Sequence, residues 1–201
     1  ADLNREYYSG KEGRGTIHIP NTEIDKDLST VAEAIAIAAK TRERNINHTL
    51  KNFRIETSRL LLTPLSMTYT EEMFKEFNAD VTKYMYPAPA QTIEDSKKFV
   101  LECEEHFSKG EEVVVAILKK DTLEYLGNGG LHHIDTRKPE LGVWIKISAH
   151  GNGYGKEAMT GLKEWADKNV LHDYIVYPVD EANIPSSKIA ESLGGKVANS
   201  Y

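Results

Sequence analysis

The stretch from Leu141 to Ala158 constrains the fold more than any other part of the chain. An apolar run, Leu141 to Ile147, leads through Ser148, Ala149 and His150 to glycines at alternate positions, Gly151, Gly153 and Gly155. The glycines open a segment, Tyr154 to Lys168, in which Ala158, Met159, Leu162, Trp165 and Ala166 share one face at helical spacing. The pattern reads as strand, glycine loop, amphipathic helix. Without Cβ atoms, glycines adopt positive φ and let the main chain approach a ligand closely. The free N–H groups of the first helical turn, with the helix dipole, then form an anion site suited to a pyrophosphate.

Three phosphate-binding patterns compete for this loop. A P-loop needs Gly-x-x-x-x-Gly-Lys-Ser/Thr. Gly155-Lys156 is present, but His150 stands at the leading position and Glu157 follows the lysine, so the hydroxyl for magnesium is missing. A dinucleotide fingerprint needs Gly-x-Gly-x-x-Gly within a parallel sheet. Here the glycines alternate without the wider gap. The third pattern, Arg/Gln-x-x-Gly-x-Gly/Ala, is the one that His150-Gly151-Asn152-Gly153-Tyr154-Gly155 resembles, with histidine at the leading position.

The rest of the chain supplies a mixed α/β order. Thr16 to Ile19 alternates as a short strand, and Thr30 to Lys40, with Thr30 and Glu33 as a capping box, reads as helix. Residues 42–52 look like a linker. From Phe53 the spacing predicts a strand at Arg59 to Pro64 and a helix at Thr70 to Phe77. A second helix runs from Thr92, with Asp95 in the capping-box place, to Gly110, and is expected to bury Phe99, Val100, Cys103 and Phe107. Strands follow at Val113 to Leu118, Tyr125 to Ile134 and Leu141 to Ile147, then the glycine-loop helix, a strand at Tyr174 to Val179, a helix at Ser186 to Leu193, and a last strand from Lys196. Hairpins before a strand–helix–strand unit make an α+β domain.

Composition narrows the function classes. Of 201 residues, 40% are hydrophobic and 28% charged, which suits a soluble globular domain that buries a real core. The net charge of −6 argues against a protein that tracks nucleic-acid phosphates. No apolar run approaches the roughly 20 residues of a membrane span, and the polar first ten residues are no signal peptide. A single cysteine, Cys103, cannot form an internal disulfide, so a cytoplasmic location is expected. Histidines and cysteines lack metal-ligand spacing, so no metal is expected.

The glycine loop is similar to the pyrophosphate loop of the GNAT acetyltransferases, and other stretches agree. Asn183-Ile184-Pro185-Ser186, followed by a helix ending in Leu193-Gly194-Gly195, resembles that family's Asn-x-x-Ser and Leu-Gly-Phe, with Gly195 in place of the aromatic. Arg59 to Leu65, and Pro139 to Ile145 near the family's Glu-Ile-Gly-Tyr-Trp-Ile, resemble the Rim-type branch that acetylates ribosomal-protein N-termini. The resemblance covers about residues 53 to 197. It implies a mainly antiparallel central sheet flanked by helices, and direct transfer of an acetyl group from acetyl-coenzyme A to a primary amine, on a protein N-terminus or a small molecule. It also implies cofactor contacts from Trp144, Ile145, Ile147, His150, Gly151, Asn152, Gly153, Tyr154, Gly155, Lys156 and Asn183.

The chemistry sets further expectations. The acceptor must lose a proton to a base, and Glu140, His132 and His133 are the candidates, with Glu140 and His133 preferred. The two histidines occupy adjacent strand positions, so only one should face the cleft. The thioester oxygen needs donors placed in advance, and the resemblance puts one on the main chain between Trp144 and Ile147. The tyrosine that many family members use for the departing thiolate is replaced here by Ile189 or Ala190, so the resemblance points to Ser186, which equally suits a helix N-cap. The alternative function is a catalytically weak acyl-CoA-binding or protein-interaction module of the same fold.

The ends of the chain carry one more expectation. A GNAT domain closes with a hairpin, yet only one candidate strand follows Gly195. Thr16 to Ile19 is therefore expected to complete the sheet in a permuted order, from the same chain or from a neighbour in a swapped dimer. On this reading residues 1–52 are a sheet-completing extension of a 53–201 acetyltransferase domain.

Overall fold

The structure is a computed structural model that describes residues 14–20 and 50–200 apart from Pro87, with the side chains left aside at 14–20, 199 and 200. The expected helix at Thr30 to Lys40 lies outside the described residues. The strands are β1 (Arg14–Pro20), β2 (Ile55–Glu56), β3 (Leu60–Pro64), β4 (Val113–Lys119), β5 (Tyr125–His132), β6 (Glu140–Ile145), β7 (Tyr174–Asp180) and β8 (Lys196–Ser200). The helices are α1 (Thr70–Glu76), α2 (Ile93–Lys109), α3 (Tyr154–Asn169) and α4 (Ile184–Ser192). All the described strands join one sheet in the order β2-β3-β4-β5-β6-β7-β1-β8. Every pairing is antiparallel except β6 with β7.

β1 does complete the sheet, within its own chain. It pairs antiparallel with β7 over its whole length, Arg14 opposite Asp180 through Pro20 opposite Tyr174. Its other edge holds β8. A strand that follows the last helix and one that precedes the first thus form the closing pair.

Helix ends follow their chemistry. Thr92 takes the Asp95 N–H while the Asp95 carboxylate takes the Thr92 N–H, a full capping box. Gly110 closes α2 in the left-handed conformation, φ 72°. Two apolar layers sandwich the sheet. On one face α3 and α4 pack Met159, Leu162, Ala166 and Ala190 against Leu60, Leu62, Val115, Leu131, Leu141 and Tyr177. On the other, α1 and α2 pack Met73, Val100 and Cys103 against Leu61, Val114, Ala116 and Leu118. Cys103 is buried, and desolvation drives its thiol far up, so it is an inert packing residue. Phe99 departs from expectation: at 42% exposed it looks out from α2 over the cleft described below.

β5 is glycine-rich for a packing reason. A Cβ on Gly129 would lie 2.9 Å from Met159 Cε and 3.0 Å from Leu162 Cδ1, so the bare strand lets α3 settle close. A bulge at Leu126 shifts the β4–β5 register, from Leu118 opposite Tyr125 to Ile117 opposite Gly127.

Candidate active site

β6 and β7 lie parallel but are paired only at Glu140 and Val176. Beyond that point β6 continues to Ile145 and β7 to Asp180 with no shared register, so the sheet is split there. The phase of the β5–β6 ladder decides what faces the split. Lys146 donates its N–H to the Leu126 carbonyl. Its antiparallel alternates, Trp144 opposite Asn128 and Gly142 opposite Gly130, therefore also spend their main-chain groups on β5. Val143 and Ile145 are left with N–H groups aimed into the gap. The main-chain donors in this stretch are thus Val143 and Ile145, not Trp144.

At the far end of β6 the chain turns through a short 3₁₀ segment, Ile147–Ala149, into the glycine loop. Ile147 is off the strand and 47% exposed. The His150 imidazole folds back, with Nε2 at 2.7 Å from the Ile145 carbonyl oxygen. Asn152 donates its amide to the Ala149 and His150 carbonyls, which locks the turn from within. Gly151 and Gly153 sit at φ 77° and 75°, where side chains are strained. α3 starts at Gly153 with no side-chain cap, and its first bond runs from Glu157 N–H to the Gly153 carbonyl. The N–H groups of Tyr154, Gly155 and Lys156 precede that bond and have no acceptor within the helix. Gly155 presses against α4, its would-be Cβ 3.1 Å from Ile189 Cδ1.

Arg59, at the start of β3, stands over this helix start. Its guanidinium lies 4.8 Å above the Tyr154 ring and 2.7 Å from Glu157 Oε2. Burial pushes the Glu157 carboxyl up, but hydrogen bonds from Thr57 and Arg59 outweigh it, so the carboxyl stays below the usual range and ionised.

A cleft of about 560 Å³ opens beside the split. Its lining comes from both faces of the sheet: Trp144 and His132 on the α1–α2 side, Tyr177 and Ser186 on the α3–α4 side. The cleft therefore passes through the sheet where β6 and β7 part. Trp144 stands in its wall, 5.0 Å from the Phe77 ring, so its side chain belongs to the α1 side and away from the glycine loop.

Ser186 and Asn183 are reached through α4. The helix begins at Ile184, earlier than the spacing predicts, and Asn183 is its N-cap, accepting the Ser186 N–H at 3.3 Å. Ser186 is consequently not the cap. Its hydroxyl pairs with the Tyr177 phenol at 3.1 Å. Tyr177 is 1% exposed, and burial pushes its phenol up to about 12 despite the Ser186 bond, so it remains protonated.

Glu140, His132 and His133 all line the cleft. The strand ends at His132, and His133 turns to φ 55°, which breaks the alternation that was expected to send one ring to each face. Besides Tyr177, two cleft residues escape a reading by motif. Glu112, just before β4, binds His132 Nδ1 through Oε2 at 2.7 Å, and His106 Nδ1 lies 3.3 Å from its other oxygen.

Comparison with known proteins agrees with this geometry. Residues 59–196 match the model of the acetyltransferase (GNAT) domain. An uncharacterized N-acetyltransferase p20 from Bacillus licheniformis is 24% identical over 140 residues, 68% of this chain and 79% of that one. Among solved structures, the microcin C7 self-immunity acetyltransferase MccE, in complex with acetyl-CoA and AMP, superposes with a TM-score of 0.61 at 21% identity, covering 69% of this chain and 79% of its own. The Salmonella typhimurium enzyme that modifies the N-terminal serine of ribosomal protein L7/L12 gives 0.60 at 15% identity, over 70% and 83% of the two chains.

Proposed function

Because this chain belongs to the GNAT acetyltransferase family, and is thereby an acyltransferase that depends on acetyl-CoA, we propose that it acetylates a primary amine that reaches the thioester from the α1–α2 side of the split sheet. The observation that carries this reading is the continuous cleft: it runs through the gap between β6 and β7 from an acceptor-side wall to Tyr177 and Ser186. Residues 53–201 form the catalytic domain, and segment 1–52 supplies its closing strand.

The chain's own groups divide the work. The left-handed glycines and the open N–H groups of Tyr154, Gly155 and Lys156 hold the pyrophosphate, with the Asn152 and His150 contacts keeping the loop in shape. The acetyl arm lies along β6 in the gap, where Val143 or Ile145 N–H stabilises the oxygen as charge grows on it. Ser186 donates to the departing thiolate. Its partner Tyr177 fixes the hydroxyl's direction, and with its phenol pushed up to about 12 it hydrogen-bonds without giving up its proton. Glu140, His132 and His133 stand on the acceptor side, where the amine must lose a proton. Acceptors of two kinds are supported by neighbours of this fold, a protein N-terminus and a small molecule.

The deciding assay is thiol release from acetyl-CoA with N-terminal peptides and small amines in parallel, alongside thermal shift with acetyl-CoA and ATP. Stabilisation by acetyl-CoA with amine-dependent thiol release is expected. Stabilisation without turnover across the panel would favour a binding module of the same fold, and stabilisation by ATP alone would refute the proposal.

A further inference from the structure

Of the three acceptor-side candidates, the geometry points to one: we propose that His132 Nε2 is the base that takes the proton from the acceptor ammonium, and that Glu112 is the residue that positions it. The inference rests on the acetyltransferase reading above and names the base within it.

Four observations carry the assignment. First, His132 Nδ1 lies 2.7 Å from Glu112 Oε2. A carboxylate there accepts a hydrogen bond from Nδ1–H, so the neutral ring has its lone pair on Nε2. Second, His132 lines the cleft, with Nε2 over the bare main chain of Gly130, 2.3 Å from where a Gly130 Cβ would stand. Only glycine at 130 leaves room for the ring. Third, the cross-strand partner Gly142 has open space where its Cβ would be, with nothing within 4 Å. That space is flanked by His132 on one strand and by the β6–β7 gap on the other side, so a nitrogen over Gly142 is placed between the base and the thioester channel. Fourth, Glu112 is itself secured, 13% exposed and shared with His106.

The rivals are less well equipped. His133 has left the strand, its backbone turned to φ 55°. Glu140 sits opposite His132 in the ladder, and its charge supports the imidazolium. Glu112, just before β4, and Glu140, on β6, act on His132, while Glu102, Cys103 and His106 from α2 and His133 beyond β5 line the same cleft. Burial pulls the His132 pKa down, but the hydrogen bond and charge of Glu112, with Glu140, outweigh it and the net shift is upward. Burial likewise pushes Glu112 up, and both imidazoles more than reverse this, so Glu112 stays anionic and orients without carrying the proton.

The step balances as follows. The ammonium gives one proton to Nε2, and the imidazolium formed is stabilised by Glu112. The amine lone pair then attacks the thioester carbon. The C–N bond forms, the C–S bond breaks with its electron pair going to sulfur, and the second nitrogen proton passes to the departing thiolate. His132 returns its proton to solvent. The products are amide, coenzyme A thiol and one proton.

The test is kcat/KM for the amine, against pH, at saturating acetyl-CoA, for the parent and the His132→Gln, Glu112→Gln and His133→Gln variants. NMR titration of the histidine rings and thermal melts accompany it. The base must be neutral to act, so the parent's activity is lost as pH falls through a limb above the ordinary histidine value of about 6.5. That limb should coincide with the His132 titration. His132→Gln should lose about 10²-fold or more near neutral pH and should follow only the acceptor's own ionisation. Glu112→Gln removes the larger upward influence, so both the limb and the His132 titration should move to lower pH, and His133→Gln should keep the parent limb. The assignment is overturned if His132→Gln retains the limb, if His133→Gln loses it, or if Glu112→Gln moves neither limb nor titration. An inactive parent would instead reject the acetyltransferase reading, while the NMR titration would still test whether Glu112 raises His132.

Discussion

Replacing Ile17 with proline tests whether β1 holds the far half of the sheet together. β1 has a neighbour on each side, β7 along its whole length and β8 on its other edge, and Ile17 is in register with both Tyr177 and Val197. Whichever neighbour its N–H faces, proline removes one ladder donor from a central strand. The lost bond costs about 0.5–1.5 kcal/mol net and the stranded carbonyl about 1–3 more, so the loss is about 1.5–4.5 kcal/mol. A domain of this size has about 5–15 kcal/mol in all, and at roughly 2–4 °C per kcal/mol Tm should fall by about 3–18 °C. Among the described residues β8 meets the sheet only through β1, so amide exchange in Lys196–Ser200 should accelerate before the rest of the sheet. Acetyl-CoA turnover should fall too, because β7 forms one wall of the split. Calorimetry, hydrogen exchange and thiol release read these three effects. A variant that melts within about 2 °C of the parent, at most about 1 kcal/mol, and exchanges normally in β8 would refute the role given to β1.

Three further outcomes are expected. Gly153→Val should abolish measurable acetyl-CoA binding by calorimetry; because Gly153 sits at φ 75° the variant should also lose about 1–2 kcal/mol of stability, and unchanged affinity in the folded variant would exclude the loop as the pyrophosphate site. Ser186→Ala and Tyr177→Phe should each lower kcat with little change in KM for acetyl-CoA, and the double variant should be no worse than Ser186→Ala if the phenol acts only through the serine; additive losses would give Tyr177 an independent role. Gly142→Ala places a methyl group in open space, so its Tm should match the parent's while acceptor KM rises, and unchanged kinetics would move the reacting amine away from β6.

Much of this protein was legible from local chemistry. The capping box at Thr92, the glycine stop at Gly110 and the α3 stripe from Ala158 to Ala166 depend on neighbours a few residues away, and each appears where the spacing predicts. The glycine loop was legible because φ near 75° selects glycine by itself. The unplaced strand at Thr16 to Ile19 could be matched to a vacancy in the sheet order, because an open edge needs a partner. Phe99 was misplaced because periodicity marks an apolar residue without saying whether core or cleft lies opposite.

The proposed catalytic constellation was decided by tertiary structure. Counting back from the turn without interruption, Leu118 opposite Tyr125 would set Glu112 opposite Leu131, with its side chain on the core face. The bulge at Leu126 inserts one residue, puts Val113 opposite Leu131, and so brings Glu112 level with His132. One residue of register exchanges the two faces of a strand, and no local pattern marks the insertion. Tyr177 was missed for a related reason: the tyrosine was sought on α4, whereas the phenol comes from β7 and meets Ser186 only because α4 packs back across that strand. The sequence by itself determined the described helices, most described strands and the glycine loop, whose conformations are chosen within a turn or two of chain. Which hydroxyl meets which, and which carboxylate stands behind which imidazole, depended on registers and crossings between segments far apart in the chain.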